Sequence, residues 1–255
     1  MLALPTLLLS LDQSVLFLAL PPLAEDLRPT GTQSLWIMDV YGFMMAGFLV
    51  TMGTLGDRIG RRKLLMAGAV AVGVTSLLTA YSTSAEMLIA SRALLGIAAA
   101  TLMPSTLALI GNMFQDPQER GRAFALWASC FMAGTALGPV IGGVLLEYFW
   151  WGSVFLIGVP VMLILLIAAP LLLPEYRDAE GGRLDLFSAA LSLAAILPVI
   201  YGLKEISKHG LSTVPVLTAA AGAAIGAVFV LRQRKLAHPV LDVSLFRNLA
   251  FTVSS

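Results

Sequence analysis

The sequence predicts an all-helical membrane protein, and three observations carry that prediction. Hydrophobic residues make up 58% of the chain and charged residues 12%, with mean hydropathy +0.88. A soluble domain is nearer about 45–50% apolar and about 25% charged. The apolar residues are gathered into stretches of membrane-crossing length, and Lys and Arg are gathered in alternate loops. This composition excludes an ordinary cytosolic enzyme, a disordered tail and a disulfide scaffold. Sixteen Lys and Arg against fifteen Asp and Glu leave a net charge of +1, without the basic surplus of a nucleic-acid binder. The lone cysteine, Cys130, has no partner for an internal disulfide. The two histidines, His209 and His238, fall in polar segments, so no metal site assembles from them.

A hydrocarbon core about 30 Å thick needs about 20 apolar residues per helix. Eight stretches qualify: Met1–Leu20, Ser34–Leu55, Leu64–Tyr81, Glu86–Ile110, Gly121–Leu146, Ser153–Leu173, Leu186–Leu203 and Val214–Leu231. A ninth begins near Leu249 and stops at Ser255. Most are apolar all round, as lipid-facing or bundle-core helices are. Cytoplasmic loops retain Lys and Arg. Twelve of these cations follow spans two, four, six and eight: Arg58, Arg61, Arg62, Lys63, Arg120, Arg122, Arg177, Arg183, Arg232, Arg234, Lys235 and Arg247. The alternate loops hold three, Arg28, Lys204 and Lys208. The amino terminus is therefore expected on the cytoplasmic face of a cell membrane. Because no cation precedes Arg28 and the chain ends as a helix starts, it reads as part of a longer membrane protein.

Ionisable groups at membrane depth are expensive and mark function by default. Asp12 lies nine residues before Pro21, roughly 14 Å from the outer surface. Asp39 lies five residues into span two and Arg92 six residues into span four, roughly 7–9 Å deep. Both of those spans run inward, so Asp39 and Arg92 are expected to face each other if their helices are neighbours, with two acids sharing one arginine. A carboxylate in a dehydrated cavity holds a proton or attracts an organic cation, but not easily both. That competition is a physical mechanism for exchanging protons against cations. Trp36, Tyr41, Met44, Met45 and Phe48 surround Asp39 in sequence, and Trp127 and Phe131 lie on span five. Flat cations need such aromatic faces beside a negative charge. Proteolysis by paired acids would want a GxGD element, and a serine protease a histidine within a span; neither is present. A transporter, not an enzyme, is expected.

The loop after span two reads Gly53-Thr-Leu-Gly-Asp57-Arg58-Ile-Gly60-Arg61-Arg62-Lys63. Topology explains its positive charge but not Asp57 between glycines. The string resembles the G-x-L-x-D-R-x-G-R-[RK] signature of the major facilitator superfamily. Span five carries Gly134, Gly138 and Gly142 at every fourth residue, with Pro139 and Gly143. Small faces let membrane helices pack closely. The full string G-x-x-x-G-P-x-x-G-G resembles the antiporter motif of that superfamily's proton-coupled drug exporters. Span four, Arg92-Ala-Leu-Leu-Gly96, is similar to the family's R-x-x-x-G motif, with Leu95 where Gln is usual. Leu11-Asp12-Gln-Ser14-Val15 followed by Ala19-Leu20-Pro21 resembles the first span of the fourteen-span drug:proton antiporters. Leu35-Trp36-Ile37-Met38-Asp39-Val40-Tyr41 resembles the second span of their quaternary-ammonium exporters.

The resemblance implies a six-helix transport bundle over residues 1–173, two additional linker helices over 174–232, and a loop with the start of a second bundle over 233–255. It implies export of lipophilic cations against protons by alternating access, with no cofactor beyond the proton gradient. The partners would be the lipid bilayer and a second bundle of the same protein, otherwise missing here. Asp12, Asp39, Arg92, Trp36 and Tyr41 would bind substrate or proton. Gly53, Asp57, Arg58, Gly60, Arg61 and Arg62 would gate, and Gly134, Gly138, Pro139, Gly142 and Gly143 would seal the bundle. Export of a metabolite or amino acid by related machinery is the alternative, as is an inactive structural membrane fragment.

Overall fold

The computed structural model describes residues 1–176 and 186–233. Regular structure among the described residues is entirely helical. In order the helices are α1 (Ala3–Leu27), α2 (Gly31–Ile59), α3 (Arg61–Ala80), α4 (Ala85–Met113), α5 (Pro117–Tyr148), α6 (Ser153–Leu156), α7 (Gly158–Leu172), α8 (Leu186–His209) and α9 (Thr213–Gln233). With α6 and α7 taken as one span, seven are long and apolar enough to cross a membrane among the described residues: α1 to α5, α6–α7 and α9. The remaining long helix, α8, occupies the span predicted over Leu186–Leu203. The ninth span expected from Leu249 lies outside the described residues, as do His238 and the cations Arg177, Arg183, Arg234, Lys235 and Arg247.

Several helices outrun the apolar stretches that announced them, and at the starts of α2, α4 and α5 a polar cap sets the boundary. At the start of α2, Thr30 Oγ1 accepts from the Gln33 amide, and Gln33 Oε1 accepts from the Thr30 amide at 2.8 Å. This is a reciprocal capping box. Ser84 caps α4 through the Met87 amide, and Asp116 caps α5 through the Gln118 and Glu119 amides, with Pro117 in the first helical position. Two prolines, Pro21 and Pro22, lie inside α1, which runs through them past the predicted end at Leu20 to Leu27. Span six is broken at Ile157 into α6 and α7. Pro160, with no amide hydrogen, leaves the Leu156 carbonyl without its helical donor.

Packing pairs α1 with α5, α2 with α4, and α3 with α4 and α7, while α8 lies along α9 and leans on α2. The core is two apolar clusters stacked along the bundle. One joins Leu8, Leu65, Val72, Leu95, Leu102 and Leu165. The other joins Leu11, Leu16, Leu23, Ile37, Leu88 and Phe155. The span most enclosed is α4, with 61% of its apolar window buried, against 22% for α2 and 17% for α5. Phe17, Met132, Val140, Ile167 and Leu171 are each at least 63% exposed. Such outward apolar surface suits hydrocarbon or another helix layer, and water would penalise it.

Candidate transport site

Arg92 is 1% exposed and reaches from α4 toward two other helices. Its Nη1 lies 3.4 Å from Asp12 Oδ2 of α1, and its Nε donates to the Ile37 carbonyl of α2 at 2.8 Å. The guanidinium also lies 5.2 Å from the Tyr41 ring centroid and 5.6 Å from that of Phe155. Two aromatic faces, one carboxylate and one carbonyl thus hold a cation at the boundary between the two apolar clusters. A lone buried charge would be costly by several kcal/mol, and this set of partners is what a buried ion needs.

The structure pairs Arg92 with Asp12, not with Asp39. Asp39 and Arg92 lie at similar depth along the membrane normal, but depth says nothing of the direction in which a helix presents a residue. Asp39 is instead ion-paired with Lys204 of α8. The two acids therefore have separate cations, and the expectation of one arginine shared between them is corrected. Asp39 and Arg92 do line one cavity of about 250 Å³, with Gln13, Met38, Tyr41 and Gly42. Trp36 and Tyr41 fall on different sides of Asp39. Tyr41 is buried, and its hydroxyl has no hydrogen-bond partner among the described residues. Beside it a narrow space is lined by Asp12, Ser76 and Phe155. Trp36 stacks on Tyr201 of α8, ring centroids 6.2 Å apart and planes 13° apart, and meets Phe43 edge-on. Trp127 is not near this cavity's wall; its Nε1 donates to Thr106 Oγ1 at 3.2 Å and ties α5 to α4.

At the opposite end of α2, Asp57 is ion-paired with Arg61, four residues on. Between them Gly60 has φ 111°, in the region only glycine visits readily. A Cβ there would also run into the Glu175 carboxylate. Glu175 accepts from the Arg62 amide at 3.1 Å, Arg62 Nη1 donates to the Leu173 carbonyl at 2.9 Å, and the Arg61 amide donates to the Tyr176 carbonyl at 2.9 Å. The α2–α3 turn is thus clasped to the end of α7. The clasp involves Gly60, Asp57, Arg61 and Arg62 of the predicted loop. Gly53 instead faces Pro104 of α4, and Arg58 Nη1 is buried without a partner among the described residues.

Gly134, Gly138 and Gly142 are buried and face α1. A Cβ on Gly134 would land on Ser10 Oγ and the Leu7 carbonyl, and one on Gly138 would land on Ser14 Oγ. Ser14 Oγ donates to the Leu11 carbonyl at 3.1 Å and sits 3.5 Å from the Gly134 carbonyl. Backbone meets backbone here, as the spacing implied. Pro139 is exposed and α5 runs unbroken through it; Gly143 has nothing within 4 Å of where a Cβ would stand. Neither of these two residues belongs to the contact face. Sequence reading missed Lys204, Tyr201 and Glu175. Lys204 falls just past the predicted span end at Leu203 and so reads as a loop cation, and an acid in the loop after span six, on the same membrane side as the basic α2–α3 turn, was the available signal for Glu175.

The chain resembles proteins of one kind along nearly its whole length. It is 51% identical over 253 residues to the multidrug efflux pump LfrA of Mycolicibacterium smegmatis, covering 99% of this chain and 50% of that protein. It is 40% identical over 240 residues to the methyl viologen resistance protein SmvA of Salmonella typhimurium, covering 94% and 48%. A methylenomycin A resistance protein of Bacillus subtilis is 34% identical over 254 residues, with 99% and 54% covered. The chain spans about half the length of the curated relatives it matches. Among solved structures, a mutant of the peptide transporter POT in complex with sulfate aligns with TM-score 0.66 at 18% identity, over 91% of this chain and 51% of that one. That likeness is one of fold. The description Major Facilitator Superfamily matches residues 2–253, and the chain belongs to that family.

Proposed function

We propose that the protein exports lipophilic cationic drugs in exchange for protons by alternating access, this chain contributing the bundle of residues 1–173 and the linker helices of 174–232 to a transporter completed by a second bundle. The observation that carries the reading is the Asp12–Arg92 pair, at 3.4 Å with its arginine buried, beside a cavity that also presents Asp39. Asp12 is the proton carrier. When it is protonated the Arg92 charge loses its partner, which favours a rearrangement of α1 against α4. Asp39 with Trp36 attracts the cation. The Asp57–Arg61 pair and the Arg62–Glu175 clasp hold one conformation of the α2–α3 turn, and the glycine face of α5 keeps α1 too close for ions to leak between them. The proton gradient supplies the energy. The relatives' names, multidrug efflux and methyl viologen resistance, support a cationic drug substrate. The amino terminus lies in the cytoplasm, as the cation-rich end of the described bundle suggests.

The test is efflux of ethidium from cells expressing the full-length protein, with and without a proton uncoupler. Export that the uncoupler abolishes supports the reading. Export indifferent to the uncoupler removes proton coupling, and no export by protein shown to be in the membrane removes the drug substrate.

A further inference from the structure

Lys204 occupies the place an organic cation would take. Its ammonium is ion-paired with Asp39 and lies 5.1 Å from the centroid of the Phe43 ring. A carboxylate and an aromatic face are the two features that recognise an organic cation. The lysine is 34% exposed and is carried by α8, a helix that leans on α2 only lightly compared with its partner α9. The pair also stands between two cavities, both of which it lines with Phe43. One is the space of about 250 Å³ that reaches Arg92. The other, of about 500 Å³, opens toward the start of α2 between Trp36, Tyr201 and Glu205. Its size is that of a pocket for a drug-sized molecule, and the stacked Trp36–Tyr201 pair gives it a flat aromatic wall.

We propose that the cleft between α2 and α8 is a release site for flat organic cations, and that Lys204 is a tethered competitor that takes Asp39 back from the departing substrate. The proposal rests on the cation-export reading above. Two cations close together repel, so a substrate seated on Asp39 displaces the lysine, and the lysine returning displaces the substrate. In either state the carboxylate keeps a positive partner. With the amino terminus in the cytoplasm, the cleft faces the exterior, where an exporter must let go. Tyr201 and Lys204 thereby give α8 a part in the substrate path.

The test uses purified full-length protein in lipid nanodiscs, with ethidium binding followed by its fluorescence, and export measured in proteoliposomes. Lys204→Met is expected to bind ethidium at least about threefold tighter than wild type and to export it more slowly at saturation, because the competitor is gone. In an Asp39→Asn background the same substitution is expected to bring no tightening. Lys204→Gln, which keeps a polar but uncharged side chain, gives the same readout if the Met variant fails to fold. Unchanged or weaker binding by the Lys204 variants overturns the proposal, as does equal tightening in the Asp39→Asn background. Both of those outcomes leave cation export standing. No ethidium binding by the wild-type protein overturns the cation-export reading, and this inference with it.

Discussion

Arg92 and Asp12 are the residues on which burial bears most heavily. Arg92→Ala leaves Asp12 with an uncompensated charge in the membrane interior, a change that costs about 3–5 kcal/mol in buried pairs elsewhere. A marked fall in the thermal midpoint of the purified full-length protein is expected, and a midpoint like that of wild type would show the pair to be dispensable. Asp12→Asn removes the proton site while leaving a hydrogen-bond acceptor for Arg92. It is expected to fold but to export ethidium with no response to an imposed pH gradient, and an unchanged response would remove Asp12 from coupling. Asp39→Asn withdraws one attractive charge from the cleft. Export of a dication such as methyl viologen should fall several-fold more than export of the monocation tetraphenylphosphonium, and equal losses would contradict a dication contact. The sequence showed these three groups as charges in apolar stretches, and so as candidates. It did not show who pairs with whom, because a residue's depth is legible along the chain and its direction around the helix is set by neighbours. Lys204 was illegible for a related reason. Its helix continues six residues beyond the predicted end at Leu203, to His209, so a cation that hydropathy assigns to a loop is delivered to Asp39.

At the scale of elements, hydropathy located the spans and capping chemistry set their ends. Thr30 with Gln33, Ser84, and Asp116 with Pro117 were all readable as caps, yet apolar counting alone began these three helices one to four residues late. The break at Ile157 was hidden inside one unbroken apolar stretch. The glycine string of α5 was the most legible contact in the molecule: its four-residue spacing named the face, and the face meets α1. The structure also divides that string. Gly138→Val would drive side-chain atoms into Ser14 and push α5 from α1, with an expected loss of about 1–3 kcal/mol or more. Gly143→Ala meets open space and should leave stability unchanged or raise it by up to about 1 kcal/mol. Thermal midpoints of the two variants, measured side by side, check the division. Similar effects from both would mean that Gly143 has a contact like that of Gly138.

For the whole molecule, the alternation of charged loops predicts a topology that impermeant reagents can read. In a background with Cys130 and any other cysteine of the full-length protein replaced by Ser, Thr30→Cys is expected to react with a membrane-impermeant maleimide on intact cells, and Lys63→Cys only after the membrane is opened. The reverse pattern would invert the molecule. The large outward apolar surfaces of α2 and α5 were foreseeable from helices apolar all round, but which faces they leave uncovered was not. That depends on which helices pair, and helix pairing in lipid follows small-residue contacts more than hydropathy.

The place of the glycine contact along α5 has a mechanical consequence. Gly138 is 21 residues from Pro117 and 10 from Tyr148, arms of about 32 Å and about 15 Å at about 1.5 Å per residue. Pivoted on α1 at that point, α5 is a lever with unequal arms. A tilt of about 10° carries the Pro117 end about 5–6 Å and the Tyr148 end about half as far. A rotation about that point would therefore displace the cation-rich end of α5 about twice as far as the other end.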